Sequence, residues 1–411
     1  MNKKGFISMT LVYTFLVLFL FLMLGVLHAY SEKNKFLQAI DDKIDLRFTT
    51  PTNYGKTILQ TLLSVYYAEE SGIIDYSKNS EGRYQTRTGI TQDITSKTNG
   101  FYFTQVVDDE DNNKIHMTED DKVAYFFRGT IDDNYIVLGN NCWKIYRTNE
   151  DESTRVVYYG PYNTSTNTCT FNLSKLPRAT YNNITNNNMY VGYMYGNNSS
   201  SYDVTHSNNN NSSIKTALDN WYISNLSGTQ YEKYIDDQIF CNERKIGIGG
   251  NFNGTTYTMN GYGNSNTLYQ SLRRNGTDGT EGTTISMSVA YPIFRCEQPN
   301  DKFTKNNASG NKKLTYPIGT LTADEFIIAG GSFQIDNTTD LLYYNTDLWT
   351  MTPSSFTSGV AKAISVKNNG ELIESNVNET HYILPVISLK NTTLIESGNG
   401  KIDSPYIIKV K

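Results

Sequence analysis

From residue 5 to residue 31 the chain carries no charged side chain, and residues 6–29 form an almost wholly apolar run of 24. As a helix that run measures about 36 Å at about 1.5 Å per residue, enough to cross a bilayer core of about 30 Å with some tilt. The only charges before it are Lys3, Lys4 and the amino terminus. The positive-inside rule therefore leaves about 380 residues outside the cell. A secretory signal peptide has a shorter apolar region, about 7–15 residues, ahead of a small-residue cleavage site. Here the run is longer, and Leu27 and Ala29 make a poor site of that kind. A single-pass membrane anchor is expected, and a multi-span transporter is excluded.

Composition narrows what the exported part can be. The 411 residues allow about two or three domains. Charged residues make up 19%, below the roughly 25% of ordinary globular chains, and Asn, Ser, Thr and Tyr take their place. Aromatics at 13% exclude a chain-wide disordered protein. With 36 Lys and Arg against 41 Asp and Glu, the chain is not a basic nucleic-acid binder, and no nucleic-acid partner is expected.

The first residues, KKGFISMTL over 3–11, resemble a type IV prepilin leader. The resemblance implies a short basic piece, cleavage after Gly5 by a prepilin peptidase, and Phe6 as the first mature residue. It also implies assembly with pilin-type subunits. Pilins usually carry Glu at the fifth mature position, and here that position is Thr10. Phe36, Ile40 and Ile44 continue an apolar stripe at four-residue spacing, which suits one long helix to about residue 48, ahead of Pro51. An uncleaved signal anchor accommodates the same run.

Further on, residues 55–70 read as a second helix, with Ile58, Leu59, Leu62, Leu63 and Tyr66 on one stripe. Four strand-like runs follow at 125–129, 134–139, 142–147 and 155–160, rich in β-branched and aromatic residues, and predict an antiparallel meander. Residues 213–226 have helical periodicity. Thr229 with Glu232, and Thr322 with Glu325, have the spacing of capping boxes, and Gly330-Gly331 would end the second of those helices. Runs near 348–351, 360–366, 382–389 and 406–410 read as strands, whereas the Asn-, Gly-, Ser- and Thr-rich segments 197–212 and 247–284 read as surface loops. The expected class is α+β. The expected organisation is a basic leader over 1–5, a membrane helix over 6–29, a helical stalk over 30–70, a polar β-rich spacer over 71–121 and an extracellular α+β domain over 122–411.

Across 122–411 the ordered pieces YFFRG, NYIVLGNNCWKIYRT, SIKTALDNWYISNL, FCNERK, LTYPIGTLTADE, WTMTPS and HYILPVISLK resemble an uncharacterised domain family of low-GC gut bacteria. The family's closing strands run from a Trp-containing segment, here 349–354, through a Gly turn at Gly370, to an Arg-Pro-Val strand. Leu384 stands in place of that Arg. The ordering is similar to the C-type-lectin-like fold shared with formylglycine-generating enzymes, and so implies that fold by analogy.

Four cysteines, Cys142, Cys169, Cys241 and Cys296, all follow the apolar run. An even number in an exported chain reads as two disulfides with three possible connectivities. Cys142–Cys169 and Cys241–Cys296 are favoured because each closes a loop around neighbouring elements. A zinc site is the alternative, without a CxxC or a local His to serve it. His28, His116, His206 and His381 are isolated, and no HExxH, GxSxG or P-loop motif occurs. Residues 297–300 (Glu-Gln-Pro-Asn) resemble the Pro-centred triplet of calcium-dependent lectins, but lack the Trp-Asn-Asp partner motif. No cofactor, metal or catalytic residue is expected. The reading that follows is a non-enzymatic, membrane-anchored envelope protein, pilin-like or minor-pilin-like, that displays a domain to a glycan or protein ligand. An extracellular enzyme or ligand sensor on an ordinary anchor is the alternative.

Overall fold

A computed structural model describes residues 55–410, apart from 77, 82–98, 109–113, 248–250, 253–254, 257–262, 276–290 and 334. The apolar run, Gly5 and Phe6 lie outside these residues. Among the described residues no helix is long and apolar enough to cross a membrane.

Thr57 opens the helix Ile58–Val65 with a capping box: its hydroxyl accepts from Gln60 N–H at 3.2 Å, and Gln60 accepts from Thr57 N–H at 3.0 Å. The helix is shorter than its apolar stripe predicts. Tyr66 leaves the helical region to pack on Phe101 and Phe127, and Ala68–Glu70 becomes a strand parallel to Gly100–Phe103. Ile58 and Leu62 join the main core.

The first sheet has eleven strands. Its spine is Asn141–Thr148, which pairs along one edge with Thr154–Asn163 and along the other with Tyr135–Leu138 and then Tyr125–Arg128. The expected meander is thus present from 135 to 163, and Tyr125–Arg128 docks on the far half of the spine. Leu138 faces Asn141, so Gly139-Asn140 is a two-residue hairpin loop, and Gly139 supplies the positive φ (66°) that such a turn needs. Tyr406–Ile408 adds in parallel to Tyr135–Leu138, while Val386–Leu389 extends the sheet beyond Thr154–Asn163.

The second sheet has seven strands, built on the hairpin Leu348–Thr357/Val360–Val366 and continued by Glu371–Asn376 on one side and Thr380–Ile383 with Arg178–Thr180 on the other. The sequence run at 382–389 therefore serves both sheets. It divides at Leu384-Pro385, where proline has no N–H for a ladder and its carbonyl accepts from Tyr158 N–H at 2.9 Å.

The helix Ala323–Ala329 is buried at every residue and touches Tyr125–Arg128 of one sheet and Leu348–Thr357 of the other. Its start is the Thr322/Glu325 capping box and its end is Gly330. The other expected box differs. Thr229 donates to Leu226 O, Glu232 accepts from Gly228 N–H, and Glu232–Tyr234 makes only a single 3₁₀ turn. Trp143, Trp221 and Trp349 are all core residues, with Trp143 and Tyr158 packed edge-on against Trp221 at 5.8 and 4.9 Å. The described residues thus form an α+β fold that is mostly sheet.

Candidate functional site

Both disulfides are formed, Cys142 with Cys169 and Cys241 with Cys296, and no described cysteine is free. The first sits in a small satellite core with Tyr135 and Val137. Of the histidines, His116 pairs with Asp121, His206 is buried against the Tyr202 ring and His381 packs edge-on against Trp349. They do not converge. Among the described residues no group of three or more His, Cys, Asp or Glu could hold a metal ion. In the 297–300 segment, Glu297 is bound to Lys245 at 2.6 Å and Pro299–Asp301 forms a 3₁₀ turn.

Charged groups do converge behind the Cys241–Cys296 disulfide. Glu325 accepts from Arg147 Nε and Arg155 Nη1, each at 3.0 Å, and Arg274 bridges Asp324 and Glu243, each at 2.8 Å. All six side chains are at most 10% exposed. Burial alone would raise the Glu325 carboxyl, but Arg155 and Arg147 outweigh it and hold it below its usual range. Glu243 goes the other way. Burial pushes it up to about 7, with Glu297 beside it adding to the shift and Arg274 opposing it. The cavity these residues line offers about 20 Å³ to the centre of a water-sized sphere, room for one or two waters. Such a site ties the capped helix to the first sheet.

Space for a ligand lies elsewhere, on one flank of the helix Ser213–Asn225. Ser212 caps that helix by accepting from Lys215 N–H at 3.2 Å, and Ile214, Leu218, Trp221 and Tyr222 turn inward. Ser213, Thr216, Ala217 and Asn220 are left on the opposite flank. They face a turn, Asn182-Asn183-Ile184, that is pinned to the second sheet by Asn182 N–H to Val377 O at 2.9 Å and Ala361 N–H to Thr185 O at 2.8 Å. Tyr195 and Asn211, on the paired strands Met194–Tyr195 and Asn210–Asn211, complete the wall. The groove has a volume of about 450 Å³, and among the described residues no Asp, Glu, Lys or Arg lines it. Asn182 is 5% exposed, and its amide nitrogen has no hydrogen-bond partner.

The sequence marks these positions only as polar loop. Of the two loops singled out in the sequence, 197–212 contributes Asn211 and Ser212, and no described residue of 247–284 lines the groove. The signal that could have found it is the pair of Asn-rich runs at 182–183 and 208–211. Their convergence depends on Tyr181 O accepting from Ile214 N–H, a contact between residues 33 apart in the chain. Compared with protein-family models, curated proteins and solved structures, the chain matches none of them.

Proposed function

We propose that this chain is a cell-envelope protein held by its 6–29 run, pilin-like or minor-pilin-like at its amino terminus, that displays a recognition domain outside the cell. The observation that carries the reading is the Asn-lined groove: open, large enough for a ligand and, among the described residues, lined by no charged side chain. Ligand sites typically measure about 300–1,000 Å³ and hold a few well-placed polar groups. Two disulfides accord with an oxidising compartment. The buried carboxylates are engaged by arginines in a space the size of a water or two, which favours binding over turnover.

Two measurements test the reading. Protease added to cell-wall-stripped intact cells should digest residues beyond about 50, and complete protection behind a sealed membrane would reverse the topology. Mass spectrometry of the mature amino terminus should find Phe6 in a host with an active prepilin peptidase, and Gly5→Val should block that cleavage. An intact Met1 would leave an ordinary anchor. Reproducible turnover lost on changing one side chain would move the protein to the enzymes.

A further inference from the structure

We infer that the groove takes a neutral, polyhydroxylated ligand, an uncharged oligosaccharide; the inference rests on the groove being the recognition site. Four amides, those of Asn182, Asn183, Asn211 and Asn220, line one space. Each amide offers donors and an acceptor within one planar group, the match for neighbouring hydroxyls, which also do both. With no charged side chain among the described residues of the lining, a phosphate, sulfate or acidic peptide would shed water and gain no counter-charge there. A lipid or apolar peptide would in turn cover the exposed amides of Asn183, Asn211 and Asn220 without offering them hydrogen-bond partners.

Tyr195 supplies the apolar half of the site. Its ring is braced edge-on by Tyr190 at 5.2 Å, so it stands as a fixed wall for the C–H face of a sugar ring.

The test uses the full-length protein in nanodiscs over an immobilised panel of neutral, sialylated and sulfated oligosaccharides, with uncharged peptides alongside. Neutral oligosaccharides should be retained. Retention should change less than about twofold between about 50 and about 500 mM NaCl, because no charge pair is at stake. Asn220→Ala should weaken it about tenfold, and Ala217→Trp, which fills the groove, should abolish it, with circular dichroism and melting confirming that each variant folds. Retention of only anionic oligosaccharides or only peptides, abolished by Ala217→Trp, would overturn the saccharide assignment and leave the groove as the site. Retention unchanged in both folded variants would overturn the groove itself. Retention of none of these probes would overturn both.

Discussion

Arg244 and Asp301 form a wholly buried two-point pair: Arg244 Nε donates to Asp301 Oδ1 at 2.6 Å, and the Arg244 backbone N–H donates to Oδ2 at 2.7 Å. The pair stands three and five residues beyond the cysteines of the Cys241–Cys296 disulfide, so covalent and ionic ties reinforce one junction. Arg244 has donors to spare. Nη1 reaches Met194 O at 2.8 Å and Nη2 reaches Asn208 Oδ1 at 3.0 Å. Met194 belongs to the strand that carries Tyr195 and pairs with Asn211, and Asn208 lies in the segment that joins the two strands. A buried ion pair outside the groove therefore holds one groove wall in place.

Removing one partner of that pair leaves the other charge buried and alone. Asp301→Ala is expected to cost about 3–5 kcal/mol in urea unfolding. Arg244→Met combined with Asp301→Leu should cost less than the sum of the two single changes, because the second removes a charge already orphaned. Strict additivity would show that the two side chains are not coupled.

Acid stability should reflect two carboxylates with opposite signs. Glu243 Oε1 receives no donor while Glu297 lies beside it, so a proton on Glu243 supplies the missing hydrogen bond. The folded protein holds that proton more tightly than the unfolded chain does. The stability it contributes is present below about 4.5 and is lost as pH rises to about 7. Glu325, held low by its arginines, behaves inversely: its contribution is present above the ordinary Glu range and is lost as pH falls through its depressed value. Glu243→Gln should shrink the decline between pH 5 and pH 7 by roughly 1–3 kcal/mol, read from denaturant midpoints. Asp340, which burial also pushes up to about 7, keeps a residual decline in the variant. An identical pH profile in Glu243→Gln would remove Glu243 from this account.

The disulfides close loops with sequence separations of 27 and 55 residues. Loop-closure entropy gives them roughly 3.5 and 4 kcal/mol respectively. Paired Cys→Ala changes should each lower the melting temperature, with the 241–296 pair the costlier. Non-reducing peptide maps should recover only these two linkages.

Gly370 offers a sharper backbone test. It sits at φ +83°, and an added Cβ would lie 1.8 Å from the Asn337 carbonyl oxygen. Asn337 is fully buried, with its amide bonded to Gly330 O at 2.7 Å, so it has no room to yield. Gly370→Ala should cost at least about 2 kcal/mol by equilibrium unfolding. A change below about 0.5 kcal/mol, the level of neutral surface substitutions, would contradict this packing.

What could be read from the residues in order was whatever depends on neighbours in the chain. The capping box at Thr322 and Glu325, the helix periodicity of 213–226, the strand character of 134–147 and the glycine turns all rest on contacts within a few residues, where side-chain spacing and backbone sterics act directly. The helix expected over 55–70 failed at its second half for the complementary reason. Tyr66 gains more from Phe101 and Phe127 than from another helical turn, and Phe101 comes from a distant strand. Only the tertiary structure could divide 382–389 between two sheets at Pro385, collect Arg147, Arg155 and Glu325 from separate elements, or set Asn182 across from Asn220. In each case the decisive partners lie tens to hundreds of residues apart. Local pattern carries no record of such meetings, because they are selected by burial and hydrogen-bond satisfaction in the assembled core.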